Sequence, residues 1–272
     1  MITGKHIRLE KLFSHGEKSV VIAIDHGMFD GPIPGMINLR ETAAKINPCV
    51  DGVLISPGML GICKNIFSFR GAPVPIVRIN WSDVYCFHWK YNEANTVIAR
   101  TVEDAVAEGA EVVLVSLTIA TGNPRTDARN VEVYSMLAGQ ARKLGIPVVG
   151  EFFPIHSDKL TPEQLHEQVL SGCRILAELG VDLIKTFHTF DFRKVAEATP
   201  VPILCLGAEK KPTQLQALQL AADEIQDNAA GVVFGRNAIQ VPDPFSFQAA
   251  LCDVVKRGMK PEEAVQKYRL TD

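Results

Sequence analysis

Long apolar runs are missing from this chain: none approaches the ~18 residues that cross a bilayer. The first residues, Met1-Ile-Thr-Gly-Lys-His-Ile-Arg, also lack the apolar core of a signal peptide. The expected address is therefore the cytoplasm, with no membrane partner. Positive charge is not in excess either. At a net charge of −3 the surface has no basic field for nucleic acid, and none is expected as a partner. Cysteine occurs at Cys49, Cys63, Cys86, Cys173, Cys205 and Cys252, never as C-x-x-C. Such scatter argues against a disulfide framework and against zinc. The six read as small apolar core residues; Cys205 stands out only because it lies beside the glycine of a candidate site loop. No His, Cys, Asp or Glu group has spacing that insists on a metal, no nucleophile-elbow serine follows a strand, and no G-x-G-x-x-G is present. No metal or cofactor is expected.

What the chain does have is apolar bulk, arranged in a rhythm. Hydrophobic residues make up 47% and charged residues 22%, enough to bury a large core and too little charge for disorder. Short apolar runs at 20–25, 52–56, 74–79, 111–118, 147–153, 181–185, 202–206 and 231–234 read as strands. Helical patterns fall between them. Thr161-Pro-Glu-Gln is a capping box with proline at the first helical position, followed by Leu165, Val169, Cys173 and Leu176 at helical spacing. Leu215, Leu218, Ala222 and Ile225 form a second stripe started by Pro212. Ile98, Val102, Ala105 and Val106 form a third, ended by Gly109. Segments 245–257 and 261–268 look like two closing helices. Strands apolar on both faces and separated by helices belong to a parallel sheet covered by helices. Eight such units in 272 residues fit a single (β/α)8 TIM barrel, one α/β domain over residues 1–272, whose usual size is ~250 residues.

Two stretches interrupt the rhythm. Residues 27–35 are a turn-rich loop after the first strand. Residues 80–95 form a longer loop carrying Trp81, Tyr85, His88, Trp89 and Tyr91, read as an anchored lid or a subunit contact in preference to a direct substrate contact.

Barrel enzymes place their chemistry where strands end. The sixth run, Val181-Asp-Leu-Ile-Lys-Thr, ends in Lys185, on the same face as Val181 and Leu183. A lysine there either marks where the strand surfaces or loses hydration, which lowers its pKa and leaves an amine able to attack a carbonyl. Asp25 ends the first run, as a turn aspartate or as a proton carrier near that lysine. Glu151 breaks the apolar fifth run and is expected buried, with a raised pKa unless it pairs with Lys185 or Arg78; a structural ion pair and a general acid are both open. His26, His156 and His188 are proton shuttles or hydrogen-bonded loop residues. Gly207-Ala208 and Gly235-Arg236 follow the seventh and eighth runs, where barrels often hold phosphate. The glycines let backbone N–H groups approach an anion and the arginine can bind it bidentately; otherwise they are tight turns.

Four stretches in this order, Ala23-Ile-Asp25-His26-Gly27, Ile184-Lys185-Thr186, the run from Pro200 through Gly207 and the run Gly231-Val-Val-Phe-Gly235-Arg236-Asn237, carry a resemblance over nearly the whole chain. It is to the archaeal-type class I fructose-bisphosphate aldolases, a barrel family that also includes a heptulosonate synthase and the thiolase of phosphorylated autoinducer-2. The resemblance implies that Lys185 matches the Schiff-base lysine and Asp25 the aspartate over the substrate carbonyl. Gly207, Gly235 and Arg236 match phosphate-binding positions, with Ala208 in place of the usual second glycine. Phe153 stands where these aldolases carry their proton-transfer tyrosine, so Glu151, His156 or His188 is expected to move the proton. The first loop is similar to that of the thiolase branch. The implied activity is cleavage or formation of a carbon–carbon bond in a small phosphorylated ketose, dihydroxyacetone phosphate being one fragment. Acyl transfer from a phosphorylated dione to coenzyme A, or a barrel that only binds sugar phosphates, are the other readings. A homo-oligomer is implied as well.

Overall fold

The computed structural model describes residues 3–14, 16–91 and 93–272. Ten strands alternate with helices: β1 (Ser19–Ala23), β2 (Gly52–Ile55), β3 (Val74–Arg78), β4 (Asn80–Ser82), β5 (Thr96–Ile98), β6 (Val112–Leu117), β7 (Val148–Phe152), β8 (Leu183–Phe187), β9 (Ile203–Leu206) and β10 (Gly231–Phe234). All but β4 and β5 close a parallel barrel in the ring order β1-β2-β3-β6-β7-β8-β9-β10. The eight apolar runs of the sequence are these eight strands; six lie within the expected boundaries, while β1 starts one residue early, at Ser19, and β8 runs two residues further, to Phe187.

Side chains alternate across a strand, so each barrel strand sends every second residue inward. The lower inward tier is apolar: Val21, Ala23, Leu54, Val74, Ile76, Val112, Leu114, Val149, Leu183, Leu204 and Val233 pack together. Burying one such Val or Leu is worth about 1.5–3 kcal/mol, so this tier holds the ring shut. Helix Thr3–Lys11 leads into Leu12, which is buried in this cluster with Leu9 and Phe13 beside it, so the N-terminal segment plugs one end. The outward strand residues meet the ring of helices in a second, larger core.

Helix starts follow local chemistry. Thr161 and Gln164 form the reciprocal capping box of helix Pro162–Glu178, as its sequence implies. Helix Gln214–Gln226 uses a second box, Thr213 with Gln216, and Pro212 lies outside it. Its buried face is Ala217, Leu218 and Ala221, while Leu215 is exposed, so the expected stripe was rotated. Helix Val102–Glu108 ends on left-handed Gly109, but Ile98 belongs to β5, not to that helix. Helices Pro244–Arg257 and Pro261–Tyr268 close the chain.

The loop expected over 80–95 is only partly a loop. β4 pairs antiparallel with β5, Asn80 opposite Ile98 and Ser82 opposite Thr96. Asn80 is buried and its amide bonds both the N–H and the C=O of Ser116, clipping the hairpin to the barrel. Trp81 Nε1 donates to the Met28 carbonyl at 3.2 Å, Trp89 Nε1 to the Phe29 carbonyl at 3.1 Å, and Asp30 accepts from His88 N at 2.9 Å. The hairpin loop is therefore strapped to the loop after β1. Among the described residues no helix is long and apolar enough to cross a membrane.

Candidate active site

Above the apolar tier the inward positions turn polar. Register puts Lys185 of β8 opposite Glu151 of β7, and Glu151 opposite Ser116 of β6. Lys185 Nζ donates to Glu151 Oε1, and Arg78 Nη2 donates to Glu151 Oε2. Arg78 Nε donates to Asp25 Oδ2 at 2.6 Å. Asp25–Arg78–Glu151–Lys185 is thus one continuous chain of two acids and two bases, every member buried. Formal charge cancels within it, which is the condition under which buried ions are tolerated.

Electrostatics follow from that chain. Burial alone would raise the Glu151 carboxyl, but the charges of Arg78 and Lys185 outweigh it and hold it below the usual carboxylate range. Asp25 behaves alike: burial raises it, while Arg78, Lys185 and His26 together hold it low. Burial works against the Arg78 cation, yet Glu151 and Asp25 keep it firmly protonated. The expectation of a raised Glu151 carried the condition that it lack Lys185 or Arg78 as partner; it has both. Nor is Lys185 the unpaired amine of an apolar wall. It rests in an ion pair.

A third tier of rings roofs the site. Phe29, Tyr85 and Phe153 contact one another in series, with centroids 4.8 and 4.7 Å apart, and Phe187 lies 5.0 Å beyond Phe153. The Arg78 guanidinium carbon lies 5.1 Å from the Phe29 ring centroid and 4.8 Å from that of Tyr85, a cation–π arrangement.

The loops after β9 and β10 meet beside His26. Arg236 Nη2 donates to the Ala208 carbonyl at 2.9 Å. Asn237 Nδ2 donates to the carbonyls of Gly207 and Glu209, and its Oδ1 accepts from Lys211 N at 2.7 Å. Asn237 is the clamp of this loop. Gly235 faces His26: a Cβ there would meet imidazole Cε1 at 2.4 Å and the Ala23 carbonyl at 3.1 Å. Ala208 sits at φ 47°, a left-handed conformation that favours glycine. Burial, helped by the cations of Lys185, Arg236 and Arg78, holds the His26 imidazole below its usual value against the pull of Asp25.

Of the residues singled out from sequence, the structure brings together Asp25, His26, Glu151 and Lys185, with Gly235 touching His26. Gly207, Ala208 and Arg236 form the adjoining loops. His188 is not with them. It points outward, its Nε2 3.0 Å from Asp227 Oδ2 and its ring against buried Phe192. Alternation accounts for this: Lys185 and Phe187 face in, so the next residue faces out. His156 is exposed at φ 54° and among the described residues makes no hydrogen bond to the cluster. Sequence reasoning gave no site role to Tyr85, Ser116 or Asn237, and named Arg78 only as a partner for Glu151. The usable signal for Arg78 was an arginine on the inward face of an apolar strand.

The closed parallel barrel is shared with solved Schiff-base-forming aldolases. Comparison with known proteins agrees: a model of the DeoC/LacD family of aldolases matches residues 19–241, and the chain belongs to that family, whose members act on carbon–carbon bonds. An uncharacterized aldolase of Saccharolobus solfataricus is 33% identical over 97% of this chain and 98% of its own. A 3-hydroxy-5-phosphonooxypentane-2,4-dione thiolase of Yersinia pestis is 26% identical over 98% of this chain and 86% of its own. An archaeal fructose-1,6-bisphosphate aldolase, solved with its catalytic lysine covalently bound to the carbinolamine intermediate of its substrate, superposes with a TM-score of 0.78 at 26% identity. That match covers 93% of this chain and 99% of the other.

Proposed function

We propose that this aldolase works through an imine between Lys185 Nζ and the ketone of a small phosphorylated ketose, with dihydroxyacetone phosphate as one fragment. The observation that carries the reading is the Lys185–Glu151 ion pair inside the barrel mouth. An ammonium is no nucleophile, and the carboxylate in contact with it is the group that can take its proton when a carbonyl arrives. The amine then attacks the ketone carbon, and the oxygen leaves as water. The resulting iminium withdraws electrons, so the neighbouring carbon–carbon bond breaks as the hydroxyl on the departing carbon gives its proton to the restored Glu151 carboxylate; the aldehyde departs and an enamine remains. Asp25, ionised and anchored by Arg78, lies on the same tier to steady the cationic intermediate. Gly207, Ala208, Gly235 and Arg236 offer the neighbouring loops as a grip for the phosphate, away from the reacting carbons.

The test is borohydride reduction in the presence of dihydroxyacetone phosphate. The protein gains the mass of the reduced adduct, and peptide mapping puts it on Lys185. No adduct, with activity intact in Lys185→Ala, removes the imine.

The thiolase relative favours a second reading, in which coenzyme A accepts an acyl group from a phosphorylated dione. Phe153 favours it too, since this ring carries no proton. Turnover that depends on added coenzyme A selects this reading; turnover indifferent to it selects the aldolase.

A further inference from the structure

Three polar atoms at the barrel mouth are buried yet unpaired among the described residues: His26 Nδ1, Arg78 Nη1 and the Tyr85 hydroxyl. A buried polar group without a partner costs about 1–3 kcal/mol, so native proteins meet such groups with a ligand, an ion or an ordered water. Tyr85 is the informative one. It is 6% exposed, held between Phe29 and Phe153, with the Arg78 guanidinium against its ring. Its hydroxyl is directed at Ser116 and Arg78 but makes a hydrogen bond of ordinary geometry with neither. Ser116 is the register neighbour of Glu151, and Glu151 that of Lys185. The phenol therefore descends from the aromatic roof onto the polar tier.

We propose that Tyr85 is the proton donor of the carbon–carbon step, delivering its phenolic proton to the enamine carbon formed on Lys185. The proposal rests on the imine reading above. In this step the enamine electron pair forms the new C–H bond, and nitrogen is left as the iminium. The electron pair of the broken O–H bond stays on the Tyr85 oxygen beside Arg78. Water then attacks the iminium carbon, and one of its protons returns to that oxygen, so the phenol is restored as the product ketone leaves. Burial and the Glu151 charge push the phenol well above its usual value, which keeps it loaded with a proton throughout the neutral range. The other two candidate proton carriers lie elsewhere: His188 bonds Asp227 and His156 is exposed.

The experiment needs only dihydroxyacetone phosphate in deuterium oxide. Two readings are taken on the full chain: borohydride trapping at Lys185, and exchange of one carbon-bound proton beside the ketone, followed by NMR. Wild type is expected to trap and to exchange. Tyr85→Phe is expected to trap to the wild-type extent while exchange falls at least ~100-fold, within the range removed with a general acid. Exchange within ~3-fold of wild type overturns the proposal. So does equal loss of trapping and exchange, which would make Tyr85 a packing residue. To guard against a roof that collapses, Phe153→Leu, which perturbs the same rings without touching a hydroxyl, is expected to exchange within ~10-fold of wild type. A loss as deep as that of Tyr85→Phe also overturns the proposal. If wild type itself does not trap, the imine reading fails first and takes this one with it.

Discussion

Lys185 and Glu151 face each other across adjacent strands as Cα partners, and their side chains close the pair with a direct hydrogen bond. The same carboxylate holds Arg78, so one residue bridges two buried cations, with Asp25 supplying the second negative charge. Glu151→Gln should leave Lys185 without its carboxylate partner and Arg78 with Asp25 alone. Breaking a buried pair costs about 3–5 kcal/mol. The expected outcome is a large drop in melting temperature, with borohydride trapping at Lys185 slowed at least ~100-fold. Thermal unfolding and a timed trapping series read the two effects separately.

Acid should act through the same cluster. The folded values of Asp25 and Glu151 lie below their unfolded ones, so in acid the unfolded chain binds more protons. Their stabilisation is fully present above the unfolded carboxylate range, about pH 4, and is lost as pH falls through the lower folded values. Urea titrations from pH 7 to pH 2.5 should show stability declining below about pH 4. Asp25→Asn should flatten that decline while lowering stability at neutral pH.

Glu224 carries the opposite sign. It is fully buried on helix Gln214–Gln226, with both carboxyl oxygens unpaired among the described residues. Burial pushes it well above its usual value, only partly opposed by Lys211. The folded state holds the proton more tightly, so this residue takes stability away as pH rises from the unfolded value through the folded one. Glu224→Met fills the same space without a polar group to satisfy. It should stabilise the protein by about 1–3 kcal/mol, with the gain widening toward alkaline pH. Melting curves at pH 6 and pH 9 check both the size and the trend.

The loop pair after β9 and β10 yields a binding prediction. Gly235→Ala would drive a Cβ into the His26 ring and the Ala23 carbonyl. The imidazole, partly open to solvent, can give way but the carbonyl cannot, so the loop must shift. Affinity for dihydroxyacetone phosphate should fall about tenfold, the size of effect a loss of ~1.4 kcal/mol produces, with the barrel still folded. Ala208→Gly should do the reverse on stability. Relief of a left-handed alanine is worth about 1–2 kcal/mol, offset by about 0.5–1 kcal/mol of added chain entropy, so a small net gain is expected. Calorimetric titration and thermal melts are the measurements.

The parts of this architecture that obey a local period were readable from the chain. Alternation put Lys185 and Glu151 on inward faces of their strands, and the Thr161 box marked a helix start to the residue. What escaped was set by contacts distant in sequence. Ile98 looks helical beside Val102 but is drawn into β5 by pairing with Asn80. Leu215 fits a helical stripe, yet the face that meets the neighbouring helices is one residue round, at Ala217, Leu218 and Ala221. His188 sits next to a strand end exactly as a site residue would, and parity alone turns it outward. Tyr85 ends a single 3₁₀ turn, Asp83–Tyr85, too short for an apolar period to mark. Only the strapping of the hairpin loop over the barrel brings its hydroxyl to the polar tier.

That strapping has a practical consequence. The chain contains two tryptophans, and both, Trp81 and Trp89, use their indole nitrogens to fasten the hairpin loop to the loop after β1. Intrinsic fluorescence excited at the indole band therefore reports on this one region, unmixed with signal from the rest of the barrel. A spectrometer and the unlabelled protein suffice to watch the roof loosen or tighten as a substrate is titrated in.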